Sequence, residues 1–273
     1  MTGEILLEVD HLSVSFRMYR NALSHMLSAG IGDVSLRLRR GEIIAVVGAS
    51  GSGKSLLAHA VLGILPYNAV MSGEMRYCGA PLDAVRQKEL RGRELALIPQ
   101  SVTYLDPLMR VGAQVRGLHG AQGDMEATLR RLHLDTHAAD LYPFQLSGGM
   151  ARRVLFSTAV ITDATLIIAD EPTPGMDAGS AAEALQILRE LADTGKGVLL
   201  ITHDIDLAAL VADTVAVFYE GRSVDMVPAA AFRGDGTALT HPYTRALYHA
   251  LPQNGFACYT AEEVARMTAA GGA

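Results

Sequence analysis

An α/β fold with a parallel-sheet core is what this sequence predicts, and three observations predict it. An apolar strand of the buried type, Glu42–Val47, runs into a glycine-rich loop and then into SLLAHAVLGIL, residues 55–65, whose apolar residues recur at helical spacing. Further on, strands Leu166–Ala169 and Val198–Ile201 alternate with helical stretches near 151–162 and 180–194 and from about 204. Strands that alternate with helices pair in parallel and are covered on both faces. The 273 residues are 49% hydrophobic, and 23 Lys plus Arg stand against 29 Asp plus Glu, a net charge of −6. That is the balance of an ordinary globular chain, one able to bury roughly three quarters of its unfolded surface.

Ahead of the glycine loop, Leu6–Val9, Leu12–Phe16 and Val34–Leu38 read as short β segments with an antiparallel arrangement. Between them Arg17–Gly32 carries Ala, Leu, Met and Gly with no clean period, so an extended loop with at most a helical turn is expected there. From about 106 to 150 β-branched runs are scarce and helices such as Asp124–His133 are expected, which marks a candidate helical subdomain. The Ala- and Gly-rich end, Thr268–Ala273, is expected to fray.

Composition also excludes several classes. The apolar runs Ile43–Val47 and Val198–Ile201 are strand-length, well short of the roughly 18 to 20 residues that cross a bilayer. The acidic start, MTGEILLEVD, has no basic stretch before an apolar one, so no secretory signal is expected and the chain is placed in the cytosol. Cys78 and Cys258 are the two cysteines and form no CxxC, which fits a reducing compartment and argues against a zinc or iron–sulfur site. The acidic balance gives no electrostatic reason to expect nucleic acid as a partner.

The loop itself, Gly48–Ser55 or GASGSGKS, matches G-x-x-x-x-G-K-[ST] and lies between a strand and a helix, the setting its chemistry requires. Gly48, Gly51 and Gly53 let the backbone wrap closely enough for several N–H groups to meet phosphate oxygens, at a helix N-terminus that is itself partly positive. Lys54 is placed to reach the β- and γ-phosphates, and Ser55 to hold Mg²⁺. Ser50, Ser52 and Leu56 complete the nucleotide-binding run. The sequence has three lysines, Lys54, Lys88 and Lys196, so one at this position by accident is improbable.

Such a loop alone leaves kinase, GTPase and motor open. A second motif, Leu166-Ile-Ile-Ala-Asp170-Glu171-Pro, is an apolar strand ending in two adjacent carboxylates. Successive side chains of a strand point in different directions, so Asp170 can face the Mg²⁺ shell while Glu171 faces the attacking water. Between the two motifs lies Leu146-Ser147-Gly148-Gly149-Met150, directly ahead of a helix. A serine hydroxyl and glycine N–H groups at a helix start make a second anion site that has no lysine.

With the three motifs in this order, the chain resembles the ATP-binding subunits of ABC transporters over residues 5 to about 225. The resemblance implies a P-loop NTPase of the ABC ATPase type, with an antiparallel β subdomain and an α-helical subdomain, extended to about 101–160, beside the parallel core. It implies an ATPase domain over residues 1–235, a short C-terminal extension over 236–273, and ATP and Mg²⁺ as cofactors. It also implies roles for single residues. Gln100, after the strand Ala96–Ile98, becomes the Q-loop glutamine that joins Ser55 and Asp170 around Mg²⁺ and acts with Glu171 and His203 in catalysis. His203 in LLITHD becomes the switch histidine, and Asp177 in PGMD the D-loop aspartate. Leu146–Met150 become the signature, which contacts the nucleotide of a partner subunit. Phe16 matches the position whose ring stacks on adenine, with Tyr19 as the substitute if the loop is shifted.

Within the family, Ile98-Pro-Gln-Ser, Asp106-Pro-Leu-Met-Arg-Val-Gly, Tyr142-Pro-Phe-Gln-Leu-Ser-Gly-Gly-Met and His241-Pro-Tyr-Thr-Arg-Ala-Leu are similar to oligopeptide, dipeptide and nickel importer subunits. Peptide-type members often carry a cysteine-rich segment after such a tail, where this sequence has only Cys258. That departure leans the expected cargo toward nickel or a metal chelate, with peptide kept open. The D-loop reads Pro174-Gly175-Met176-Asp177 where relatives commonly have a Ser- or Thr-Ala-Leu-Asp run, so coupling between paired sites is open as well.

The partners implied are a second ABC ATPase subunit, a paralogue rather than an identical chain, two membrane permease subunits and an extracytoplasmic solute-binding protein. The implied location is peripheral, on the cytoplasmic face of the inner membrane, docked through the helical subdomain and the Gln100 loop. The histidines other than His203 show no compact ligand pattern, and Arg39-Arg40 and Arg130-Arg131 read as solvated faces. Two rivals stand beside this reading, a soluble ABC ATPase acting on ribosomes or DNA and a nucleotide-binding partner with weak hydrolysis.

Overall fold

Every residue of β3 (Ile43–Gly48) is buried, because side chains from both of its faces enter a core. The structure is a computed structural model and describes residues 3–21, 24–117 and 122–270. Among the described residues, ten strands in chain order form two sheets: β1 (Ile5–Asn21), β2 (Ser24–Arg39), β3, β4 (Ala69–Tyr77), β5 (Ala80–Pro81), β6 (Leu95–Ile98), β7 (Leu166–Asp170), β8 (Gly197–Ile201), β9 (Thr214–Tyr219) and β10 (Arg222–Pro228). The larger sheet has the order β10-β9-β3-β8-β7-β6 and is parallel except for β10. The smaller sheet has the order β2-β1-β4-β5 and is antiparallel.

Alternation along the parallel strands explains why they read as continuous apolar runs. Ile43, Ala45 and Val47 point into one core with Ile167, Ala169, Val198 and Leu200. Ile44 and Val46 point into the other, with Ile168, Leu199 and Ile201. Helices α5 (Gly148–Val160), α6 (Ala178–Asp193) and α7 (Ile205–Val211) cover the first face. The second face is covered by α1 (Lys54–Leu62) and by the antiparallel sheet, through Leu7, Val9, Leu36 and Tyr77. Of the other helices, α2 (Ala84–Leu90) is tied to α1 by Gln87, whose amide donates to the Ala60 carbonyl at 2.8 Å. The short α8 (Ala230–Arg233), α9 (Pro242–Ala250) and α10 (Ala261–Ala270) follow β10, and Phe232, Tyr243 and Tyr248 bury in the first core.

Residues 105–155 build a small third core. Here α3 (Val111–Arg116) and α4 (Gln122–Arg131) supply Val111, Val115, Met125 and Leu129, which meet Ala151, Val154 and Leu155 of α5. On its other side α5 sends Phe156 and Ala159 into the main core. One helix is therefore shared by both bodies, and whatever displaces its N-terminus is felt in the parallel sheet.

Of the stretch Arg17–Gly32, expected as a loop, the described residues 17–21 and 24–32 are instead part of a long antiparallel ribbon, with Phe16 opposite Ser28, Arg17 opposite Leu27 and Met18 opposite Met26. Met18, Met26 and Leu27 are exposed, so the ribbon is held by its backbone ladder and leaves no alternation of burial for the sequence to record. The two early segments Leu6–Val9 and Leu12–Phe16 are likewise one strand. A bulge separates them at His11, whose φ is +50° and whose Nδ1 lies 2.5 Å from the Asp33 carboxylate. At the other end, Thr268–Ala270 continue α10 instead of fraying, and 271–273 lie outside the described residues.

Phe156 has no exposed surface and sits where α5 meets the sheet. Phe156→Ala should lower the unfolding free energy by about 3–5 kcal/mol. Urea titration followed by circular dichroism reads this out, and an unchanged midpoint would contradict the packing described.

Candidate functional site

The carboxyl ends of β3, β7 and β8 lie on one edge of the parallel sheet, where crevices form in open α/β folds. Two glycines shape the loop after β3. Gly48 has φ +151°, and a Cβ there would lie 2.2 Å from the Phe218 carbonyl oxygen on the neighbouring strand. Gly53, the residue before α1, has φ +90°, and a Cβ there would lie 2.3 Å from Ile31 Cγ2. No other residue type fits either position. The loop is also pinned from outside, since Gly221 N–H donates to the Ser52 carbonyl at 3.1 Å and Gly32 N–H to the Gly221 carbonyl at 2.7 Å.

Lys54 opens α1 and is 6% exposed. Its Nζ donates to the carbonyls of Gly48 (2.8 Å) and Ala49 (2.9 Å), curling back over the loop that carries it. Burial pushes its pKa below the usual lysine range, while the carboxylates of Glu171 and Asp170 pull it back up. The first turn of α1 holds no acidic residue, so nothing on the helix offsets the partial positive charge of its N-terminus. Ser52 is buried behind the lysine, and Ser50 and Gly51 form the exposed tip.

Order in the sheet puts β8 between β3 and β7, so the loop and the end of β7 start two strand spacings apart, about 9–10 Å. The first turn of α1 spans this gap. Ser55 Oγ donates to Asp170 Oδ1 at 3.0 Å. Asp170 is 4% exposed, and burial raises its pKa, with Glu171 adding to the rise and the Ser55 hydrogen bond, His59 and Lys54 opposing it. A half-buried hydroxyl and a buried carboxylate side by side are hard oxygen donors, the kind that Mg²⁺ accepts.

Glu171 turns away from Asp170, as adjacent residues at a strand end do. Its φ is +46°, in the left-handed region that residues with a Cβ seldom enter, at a cost of order 1 kcal/mol. Its N–H donates to the Ile201 carbonyl at 2.8 Å, and its Oε2 lies 2.8 Å from His203 Nδ1. The carboxylate is buried whereas the His203 ring is largely exposed, so the pair reaches from the strand end to the surface. Gln100 is joined to this group by its backbone. Its side chain is exposed, and its carbonyl accepts from Arg152, which also donates to the Glu171 carbonyl at 3.4 Å.

Arg152 was not legible from motif matching. The signal for it is a cation only five residues after the helix cap, near the end of α5 where the helix dipole disfavours positive charge.

The remaining predicted residues sit apart from Lys54 and Asp170. Ser147 caps α5, its Oγ accepting from Met150 N–H at 3.3 Å, and a Cβ on Gly148 or Gly149 would meet nothing within 4 Å. Leu146 and Met150 pack against the small helical core, so the signature is anchored at its ends and open at its centre. Asp177 caps α6 by accepting from Ser180 N–H (3.0 Å) and Ser180 Oγ (2.7 Å), which holds its pKa below the usual carboxylate range. The half-buried Phe16 ring and Leu56 flank the loop from the ribbon side, both within 3 Å of where a Cβ on Gly30 would lie. The side chain of Tyr19 lies outside the described residues.

Comparison with known proteins bears on the family and the fold. A family described as ABC transporter matches residues 31–174. The oligopeptide transport ATP-binding protein OppD of Lactococcus lactis subsp. cremoris is 35% identical over 271 residues, which cover 92% of this chain and 77% of that protein. The dipeptide transport ATP-binding protein DppD of Escherichia coli is 35% identical over 265 residues, 91% of this chain and 79% of that protein. Among solved structures, a dimeric post-hydrolysis state of the ATP-binding cassette MJ0796 bound to ADP and Pi superposes with a TM-score of 0.72. That likeness is at 22% identity, covers 82% of this chain and 99% of that one, and shows the fold.

The buried Asp170 carboxylate makes a specific prediction. Asp170→Asn keeps an acceptor for Ser55 while removing a charge that burial disfavours, so it should raise the melting temperature of the nucleotide-free chain and weaken Mg–ATP binding at least tenfold. Differential scanning calorimetry and nucleotide titration read the two effects. A lowered melting temperature would mean that the carboxylate is a net stabiliser of the fold.

Proposed function

The chain belongs to the ABC transporter family, and from that premise we propose that it drives a peptide importer, with Lys54, Ser55, Asp170, Glu171 and His203 as its hydrolytic centre. It is an ATP-binding ATPase whose hydrolysis is coupled to transport. One observation carries the assignment of residues: the Ser55 hydroxyl reaches across β8 to Asp170, with the Glu171–His203 pair on the next residue.

On this reading the glycine-loop N–H groups and the start of α1 take the β- and γ-phosphates, and Lys54 exchanges its two carbonyl partners for phosphate oxygens. Ser55 and Asp170, with the Gln100 side chain swung inward, would hold Mg²⁺. The ion supplies charge neutralisation on the phosphates and a fixed orientation for them. Glu171 accepts a proton from the water that attacks the γ-phosphate in line. His203 occupies Oε2 and leaves the other carboxylate oxygen for that water. Positioning and charge do most of the work, as is general for phosphoryl transfer. Phe16 stacks on the base, which reads a π-face and not a hydrogen-bond pattern.

The signature, with Ser147 and Gly148 exposed and Gly149 half-buried, offers a helix N-terminus without a cation, suited to a γ-phosphate already held by another subunit's lysine. We therefore place it in trans, in a pair of ATPase subunits formed with a paralogue and docked on two membrane permease subunits fed by an extracytoplasmic binding protein. Among the described residues no helix is long and apolar enough to cross a membrane, so attachment rests on those partners, at the cytoplasmic face. For the cargo, the relatives named above are called oligopeptide and dipeptide transport proteins, which moves the preference from nickel to peptide.

In the complex that copurifies with this chain, Glu171→Gln should retain ATP binding, slow phosphate release by roughly 10²- to 10⁴-fold and abolish ATP-driven uptake of peptide into vesicles. Phosphate release at the parent rate would remove Glu171 from the role. Uptake of Ni²⁺ but not of peptide by the parent complex would reverse the choice of cargo.

A further inference from the structure

Arg152 lies at the meeting point of three segments that the proposed function assigns separately. It sits in α5, five residues after Ser147, about 7.5 Å along the axis at the α-helical rise. Its NH1 donates to the Gln100 carbonyl and to the Glu171 carbonyl. Glu171 needs such a partner, because its backbone is held at φ +46° against the preference of a residue with a Cβ. Its N–H is fixed by Ile201 on β8 and its carboxylate by His203, so the carbonyl is the remaining handle on its orientation. That handle is met, at 3.4 Å, by a side chain borne on the signature helix. Partial burial lowers the guanidinium pKa and the Glu171 charge offsets only part of that, so the group is a half-buried donor close to that carboxylate.

We infer that Arg152 is a positioning residue for hydrolysis, which fixes the backbone of Glu171 and makes its aim depend on where the signature helix lies. The inference rests on the reading of Glu171 as the water-activating residue. Because α5 is packed into both the helical core and the main core, a shift of its N-terminus on nucleotide binding moves Arg152 with it. The guanidinium then reports the state of the signature and of the Gln100 segment to one carbonyl. No contact of Arg152 with the P-loop lysine or with Ser55 enters this arrangement. Its loss should therefore be felt in turnover and not in nucleotide affinity.

The test is a double-mutant cycle in the copurified complex, with Arg152→Met and Glu171→Gln made singly and together. Arg152→Met should lower kcat for ATP by roughly 10- to 100-fold with KM and ATP affinity within about twofold, and Arg152→Lys should restore part of the loss. On the Glu171→Gln background, Arg152→Met should change single-turnover hydrolysis by less than about twofold, since the group it positions is already disabled. A full additional loss on that background, or a parent-like kcat for Arg152→Met, would overturn the inference. If Arg152→Met lowers the yield of folded complex, Arg152→Lys and Arg152→Gln take its place in the same cycle, with the same two overturning results. A parent-like rate for Glu171→Gln alone would instead refute the reading of Glu171.

Discussion

Burial of charge at the edge of the parallel sheet is the constraint on which the rest of this molecule depends. Lys54, Asp170 and Glu171 are each less than 10% exposed, in a place where an isolated charge is costly. The opposing influences on the protonation of Lys54 and Asp170 show how the fold tolerates those two charges. Desolvation pushes Lys54 and Asp170 toward their neutral forms, and their mutual attraction pushes back. The positively charged group also spends its donors on the carbonyls of Gly48 and Ala49, which leaves it satisfied but attached only to its own loop. A polyanion that brings its own oxygens and its own cation relieves the whole cluster at once. Nucleotide binding and relief of buried charge are, on this account, the same event.

The fold supplies the precision that such a cluster demands. Parallel pairing places Asp170 level with Ile201, and the α1 helix brings Ser55 across the intervening strand to a 3.0 Å hydrogen bond. Glu171, one residue further, has a strained backbone, and its N–H, carbonyl and carboxylate are met by Ile201, Arg152 and His203. Helix α5 then connects this point to the signature, because its two faces belong to two cores. On the inference drawn for Arg152, the signature and Glu171 meet there through packing and one guanidinium.

Much of this was legible in the sequence for identifiable reasons. Strands β3, β7 and β8 are buried on both faces, so their runs of Ile, Val, Leu and Ala stand out, and the glycine loop and the Asp170-Glu171 pair are adjacent to strand ends that the pattern locates. The outer half of the β1–β2 ribbon was missed, since its exposed methionines and Leu27 carry no period and its stability lies in backbone pairing. Gln100 shows a similar limit. The family resemblance pointed to the residue, but the structure joins it to the site through its carbonyl, which any residue would provide. Arg152 was missed because a single arginine in a helix has no motif, and its meaning appears only when α5, β6 and β7 come together.

The central claim is that Lys54 is held ready to exchange two loop carbonyls for phosphate oxygens. Isothermal titration of Mg–ATP into the full chain and into Lys54→Ala tests it most directly. The account predicts that the variant keeps the parent's far-ultraviolet spectrum and loses at least tenfold in affinity, about 1.4 kcal/mol or more. A folded Lys54→Ala chain that binds Mg–ATP as tightly as the parent would contradict it.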